Sequence, residues 1–171
     1  DRFSVFFMSL ILGASAVITV FCYSYFNGRE GLQEELYILL LTATLGALVL
    51  VSSTHFASFF LGLEILSVSL FAMVAYPVTT LTRSGGGSAN PLEAGIKYLI
   101  LSGISSAILA LGMAFVYAAT GEMDFSGIDK VLARSEYSIY AVAGVAMMIA
   151  GVGFKLSLVP FHMWTPDVYQ G

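Results

Sequence analysis

The chain has 171 residues, 58% of them hydrophobic and 11% charged, with a mean hydropathy of +0.88; soluble domains carry about 25% charged residues, so the excess apolar surface has to face lipid. Seven Lys and Arg against eleven Asp and Glu leave a net charge of -4 and no basic block that could neutralise a run of phosphates, which excludes nucleic acid as an expected partner. The single cysteine, Cys22, excludes a disulfide within the chain and a cysteine-based metal site.

A bilayer core about 30 Å thick takes roughly 20 apolar residues at 1.5 Å each, so the gaps between charges mark the spans. The first uncharged stretch, 3–26, is longer than the apolar part of a cleavable signal and lacks a basic start, and it reads as a true span. Residues 36–82 hold one charge, Glu64, and have room for two spans, about 36–51 and 53–76, with Ser52, Ser53, Thr54 and His55 at the turn and Pro77 as the stop. The loop 78–89 contains Ser84, three glycines and Ser88, the composition of a flexible exposed connector. Asn90, Pro91 and Glu93 then stand as N-cap, first residue and third residue of a capped helix start, which opens a span over 91–120. The polar stretch 121–136 reads as a loop. The last span, 137–159, runs into Lys155, Pro160 and Pro166, with a broken continuation to 171.

The expectation is therefore an all-α polytopic membrane protein: one transmembrane helical module of five helices, the last one broken between Lys155 and Pro160, cut from a longer subunit. Arg2, Lys130 and Arg134 fall on one side and Arg29 and Arg83 on the other, too even a split to orient the module.

Ionisable residues within these spans carry the chemistry. Counted from residue 53, Glu64 lies about 11 residues, roughly 17 Å, into its span, where a charge costs at least ~2.5 kcal/mol. It is either a protonated acid hydrogen-bonded to a neighbouring helix or a proton carrier, with Ser67 one turn on as a hydroxyl able to hold either form. Lys97, about 9 Å inside from Pro91, can snorkel to the headgroups or reach Glu64 as a buried partner. Lys155 shares a helix face with Gly144, Met148 and Gly151, so another helix can approach where the lysine points. Pro160 withholds a donor from the Leu156 carbonyl and Pro166 from that of His162. Broken backbone at membrane depth lines protein or a hydrated cavity, which makes His162 a candidate proton relay; the alternative is a span that ends at Pro160 with an interfacial loop beyond it.

Measured from the side of residue 137, Lys155, Lys97 and Glu64 fall at about 27, 21 and 17 Å, one band suited to lateral proton transfer through bridging waters. Glu64, Lys97, Lys155 and His162 are accordingly the candidate proton-translocating residues. His55 and Asp167 read as turn residues. Two histidines without clustered partners point to no metal site, and the glycines at 85–87 lack the spacing of a phosphate-binding loop.

Residues 151–171, with Lys155, Pro160, His162, Trp164, Pro166 and Asp167 in their order, resemble the antiporter-like subunits of respiratory complex I, the N-type subunits of the bacterial enzyme most of all. Leu61, Gly62, Leu63 and Glu64, and the run Glu93, Ala94, Gly95, Ile96, Lys97 and Tyr98, resemble two further motifs of those subunits. The resemblance implies two inverted repeats in the full subunit, each with a broken helix, of which this chain would be the first. It implies proton translocation by Glu64 and Lys155, with Lys97 as a further member. It also implies a multi-pass location in the bacterial inner membrane, with loop 78–89 in the cytoplasm and loop 121–136 in the periplasm. The Gly-rich loop is longer than the family pattern, as in an insertion or a linker.

On this resemblance the chain is a subunit of NADH:quinone oxidoreductase with no redox site and no cofactor of its own. NADH, flavin, iron-sulfur clusters and quinone are expected in partner subunits, and the partners are other membrane subunits of complex I, the lipid bilayer, protons and internal water. A subunit of a multisubunit cation/proton antiporter and a non-transporting membrane scaffold are the alternatives.

Overall fold

The computed structural model describes residues 1–27, 34–76, 91–133 and 138–170. These form α1 (Arg2–Phe26), α2 (Glu34–Ser52), α3 (Phe56–Val74), α4 (Pro91–Thr120), α5 (Phe125–Leu132), α6 (Ile139–Lys155) and α7 (Trp164–Gln170). The first four are long and apolar enough to cross a membrane, and α6 is a shorter apolar helix. The all-α polytopic architecture follows, with the last span divided into α6 and α7. Pro77, the Gly-rich loop and the Asn90 cap lie outside the described residues.

The helix bounds differ from the sequence expectation by a few residues, most at the start of α3 and the end of α6, and one helix was not expected. The third span starts at Phe56 and not at residue 53, because His55 is extended (φ -132°, ψ 144°) and its Nδ1 accepts from the Ala57 N–H at 3.0 Å, as an N-cap does. The same turn is held across the molecule by an antiparallel bridge between His55 and Asp124, in which the Phe56 N–H donates to Met123 O (2.9 Å) and the Phe125 N–H to Thr54 O (3.0 Å). The stretch 121–136, expected as loop, contains α5. Phe125, Ile128 and Leu132 recur at helical spacing there, and the charges between them face outward. Ile128 is buried, and Phe125 meets Phe56 and Phe59 edge-on at 5.5 and 6.0 Å.

Within a bilayer, apolar side chains gain little by leaving lipid for protein, so close backbone approach has to hold helices together. Glycines provide it here. A Cβ on Gly62 of α3 would stand 2.7 Å from the Leu50 N of α2, and one on Gly112 of α4 would stand 2.7 Å from the Gly144 O of α6. Gly151 lies against Leu109, where a Cβ would come within 2.9 Å of the leucine's own Cβ. The core between α3, α4 and α5 is built on Phe56, Leu109, Met113, Val116 and Ile128. At the edge, α1 buries none of its residues and meets α2 through Ser15 and Thr44, whose hydroxyls are 2.8 Å apart.

The end of α6 is an αL stop. Ser157 has φ 54°, its N–H donates to Phe154 O (3.0 Å), and the Leu158 N–H donates to Gly153 O (2.8 Å), the two bonds of a Schellman termination. A serine in that region costs about 1–2 kcal/mol against glycine. Its hydroxyl is tied to the next helix, accepting from Thr165 Oγ1 at 2.7 Å. Pro160 follows in a turn closed by the Phe161 N–H on Leu158 O. Pro166 sits in the first turn of α7, where a missing N–H is tolerated. The His162 carbonyl is not orphaned as expected, since it accepts from the Thr165 N–H at 3.2 Å.

Candidate functional site

Glu64 follows the first residue of α3 by eight positions, about 12 Å at 1.5 Å each rather than the 17 Å counted from residue 53. Lys155 is the last residue of α6. The fold brings these two, 91 residues apart in sequence, into direct contact, with Lys155 Nζ 3.1 Å from Glu64 Oε1. The lysine side chain is 9% exposed and the glutamate side chain 32%; the carboxylate is turned toward α6 and meets the lysine directly, without a bridging water.

Hydroxyls complete the site. Lys155 Nζ donates to Ser67 Oγ at 2.8 Å and lies 3.4 Å from Ser102 Oγ. Ser106 Oγ donates to Glu64 Oε1 at 2.5 Å, in the range of a charge-assisted O–H···O⁻ bond. Ser105 Oγ donates to Gly151 O at 2.8 Å. The Gly151 carbonyl sits one turn before Lys155, so this bond clamps that turn of α6 to α4. Ser67, Ser102, Ser105 and Ser106 are all buried. The sequence reading singled out only Ser67. The signal for the others was present: Ser102, Ser105 and Ser106 are spaced by three and four residues in an otherwise apolar span, a polar stripe on one helix face.

Beside this cluster the broken end of α6 is pinned by aromatic stacking. Trp164 of α7 lies nearly parallel to Tyr98 of α4 (centroids 5.2 Å, 11°) and to Phe154 of α6 (5.7 Å, 10°), and its Nε1–H donates to Phe154 O at 3.2 Å. The lysine on the last turn of α6 is therefore positioned from α7 as well as from α4.

Lys97 and His162 are placed elsewhere. Lys97 pairs with Glu93 on its own helix at 2.9 Å, with the two side chains 45% and 58% exposed, so Glu93 takes the place considered for Glu64. The reason is rotation. Lys97 precedes Ser106 by nine residues, about 180° around a helix of 3.6 residues per turn, so the two residues face opposite ways. His162 is exposed on the turn between α6 and α7 and is not among the groups bonded to Glu64 or Lys155. Among the described residues, no three His, Cys, Asp or Glu side chains converge as a metal site would need.

The fold and the site define a class first: a polytopic helical membrane protein with a carboxylate–ammonium pair enclosed by serines beside a broken helix. The chain belongs to the NADH:quinone oxidoreductase/Mrp antiporter transmembrane family, to which residues 53–171 match. It is 52% identical over 171 residues to the NADH-quinone oxidoreductase subunit N of Methylococcus capsulatus and 56% identical over 173 residues to that of Nitrosospira multiformis. The alignments take in the whole of this chain and 33% and 32% of those proteins, so the chain spans about a third of the length of the curated relatives it matches. A chain of respiratory complex I from Thermus thermophilus, solved with bound aureothin, superposes on it with a TM-score of 0.74 at 32% identity, covering all of this chain and 34% of that one. A chain of the membrane-bound sulfane sulfur reductase, an archaeal respiratory membrane complex, superposes with a TM-score of 0.78 at 24% identity, covering 99% of this chain and 32% of that one, which shows a shared fold. Apolar helices and bacterial relatives together place the chain as a multi-pass protein of the bacterial inner membrane.

Proposed function

We propose that this chain is part of a proton-translocating membrane subunit of NADH:quinone oxidoreductase, in which Glu64 and Lys155 hold and pass the proton. The observation that carries this reading is the 3.1 Å contact between Lys155 and Glu64, made at the point where α6 breaks. In contact, each charge offsets the other's burial; apart, each is left uncompensated at a cost of several kcal/mol, which moving a proton relieves. Motion at the joint between α6 and α7 is thereby coupled to proton uptake and release. The chain belongs to the enzyme complex without supplying a redox site, and NADH, flavin, iron-sulfur clusters and quinone belong to partner subunits. Other membrane subunits of the same complex are its partners. Relatives at 52% and 56% identity that are named as subunit N favour this reading over a cation/proton antiporter subunit or an inert scaffold. Lys97 and His162 are secondary candidates, with smaller expected effects than Glu64 and Lys155.

The test is Glu64→Gln in the parent complex reconstituted in vesicles. Gln keeps the shape and can still accept from Ser106 but carries no titratable proton. Assembly is retained and pumping per quinone reduced falls. Lys155→Arg fails in part as well, because a guanidinium does not release its proton. Normal pumping by a fully assembled Glu64→Gln complex would refute the proposal.

A further inference from the structure

The serines around the ion pair have a property that follows from counting protons. Ser106 has one hydroxyl hydrogen and two acceptors within bonding reach: Glu64 Oε1 at 2.5 Å and its own helix's Ser102 O at 2.9 Å. It is buried and sits near the middle of α4, with no need to move a heavy atom to exchange one acceptor for the other. Lys155 Nζ likewise has three donors facing Glu64 Oε1, Ser67 Oγ and Ser102 Oγ.

We propose that Ser106 is a hydroxyl rotor that gives Glu64 a hydrogen-bond partner both with and without its proton, a positioning residue for the proton-handling step proposed above and dependent on that reading only for its link to pumping. With Glu64 ionised, the Ser106 hydrogen points at Oε1. When Lys155 gives its proton to Glu64, an N–H bond breaks and an O–H bond forms; the carboxylate becomes a neutral acid and the ammonium a neutral amine. The Ser106 hydrogen then turns to Ser102 O, which frees a lone pair on Oγ to accept from the new Glu64 hydroxyl. Lys155 keeps two N–H bonds, directed to Ser67 Oγ and Glu64 Oε1, and the Ser102 hydroxyl turns to donate to the lone pair left on Nζ. Both states are thus satisfied by the same heavy-atom frame. A buried site with a fixed donor in place of the rotor would favour one state and leave a polar group unpaired in the other.

The experiment is infrared difference spectroscopy on the parent complex, with the Glu64 carboxyl band identified by its loss in Glu64→Gln, alongside pumping in vesicles. In Ser106→Ala the carboxyl C=O band moves to higher frequency, because the acid loses its partner, and pumping falls about tenfold, the effect of losing one hydrogen bond to a charged group. Ser106→Thr keeps a hydroxyl and restores both toward the parent values. Ser106→Cys, close in size and a weak donor, gives an intermediate shift if the alanine variant fails to assemble. Ser69→Ala removes a buried hydroxyl of α3 that bonds Ile65 O on its own helix, and it leaves the band in place. An unshifted band in assembled Ser106→Ala or Ser106→Cys overturns the rotor, as does a Ser69→Ala shift of the same size. Normal pumping by Glu64→Gln refutes the pumping role instead, and the Ser106→Ala band then decides the rotor by itself.

Discussion

Lys155 and Lys97 both lie inside apolar helices, and their surroundings have little else in common. Three helices meet at Lys155: α3 supplies Glu64 and Ser67, α4 supplies Ser102, and α6 carries the lysine. Lys97 meets Glu93 one turn away on its own helix, with both side chains more than two-fifths exposed. The difference teaches that depth in a span does not by itself bring a charge to the buried pair. Which groups a deep residue meets depends also on which way its side chain faces around its axis.

The largest test of this contrast is Lys155→Ala in the assembled parent complex. A group that carries the transferred proton is worth a factor of roughly 100 or more, so pumping in vesicles should fall by at least about that much while the complex still forms. Packing at the middle of the α4 and α6 seam comes next. Gly112→Val would drive a side chain into the Gly144 backbone, which cannot retreat as a flexible side chain would. Overpacking of this kind costs about 1–3 kcal/mol, read as a lower thermal midpoint and reduced assembly, and it should weaken the Lys155 site because the same seam carries Ser105 and Gly151. His55→Ala removes the α3 cap and should cost about 0.5–2 kcal/mol in stability, visible as a shift in midpoint with pumping per assembled complex unchanged. The smallest effect is expected for Lys97→Ala. An exposed pair within one helix is worth about 0–1 kcal/mol, so pumping should stay within about twofold; a loss equal to that of Lys155→Ala would break the comparison.

Much of this architecture was legible beforehand. Gaps between charges located the transmembrane segments because a charge in lipid is costly, and Lys155, Pro160 and Pro166 announced the division of the last span. The offset of Gly144, Met148 and Gly151 from Lys155 also foretold a close helix approach on that face. Less legible was α5, since its polar residues resemble a loop until Phe125, Ile128 and Leu132 are seen to share a side. The start of α3 was misplaced by three residues because histidine is not among the usual N-cap residues, and the turn it caps is also paired with Asp124, 69 positions further on.

Composition and order along the chain by themselves determined that the protein is helical, crosses the membrane and carries acid and base groups at depth, because the cost of burying a charge and the length needed to span lipid are local quantities. Which of those groups meet was decided only by tertiary structure. Glu64, Lys97 and Lys155 share a depth band on paper, but helices packed at glycine contacts have a set rotation, and that rotation turns Ser102 and Ser106 toward the pair and Lys97 away from it. Depth adds up residue by residue along one helix; facing direction is a property of how several helices pack.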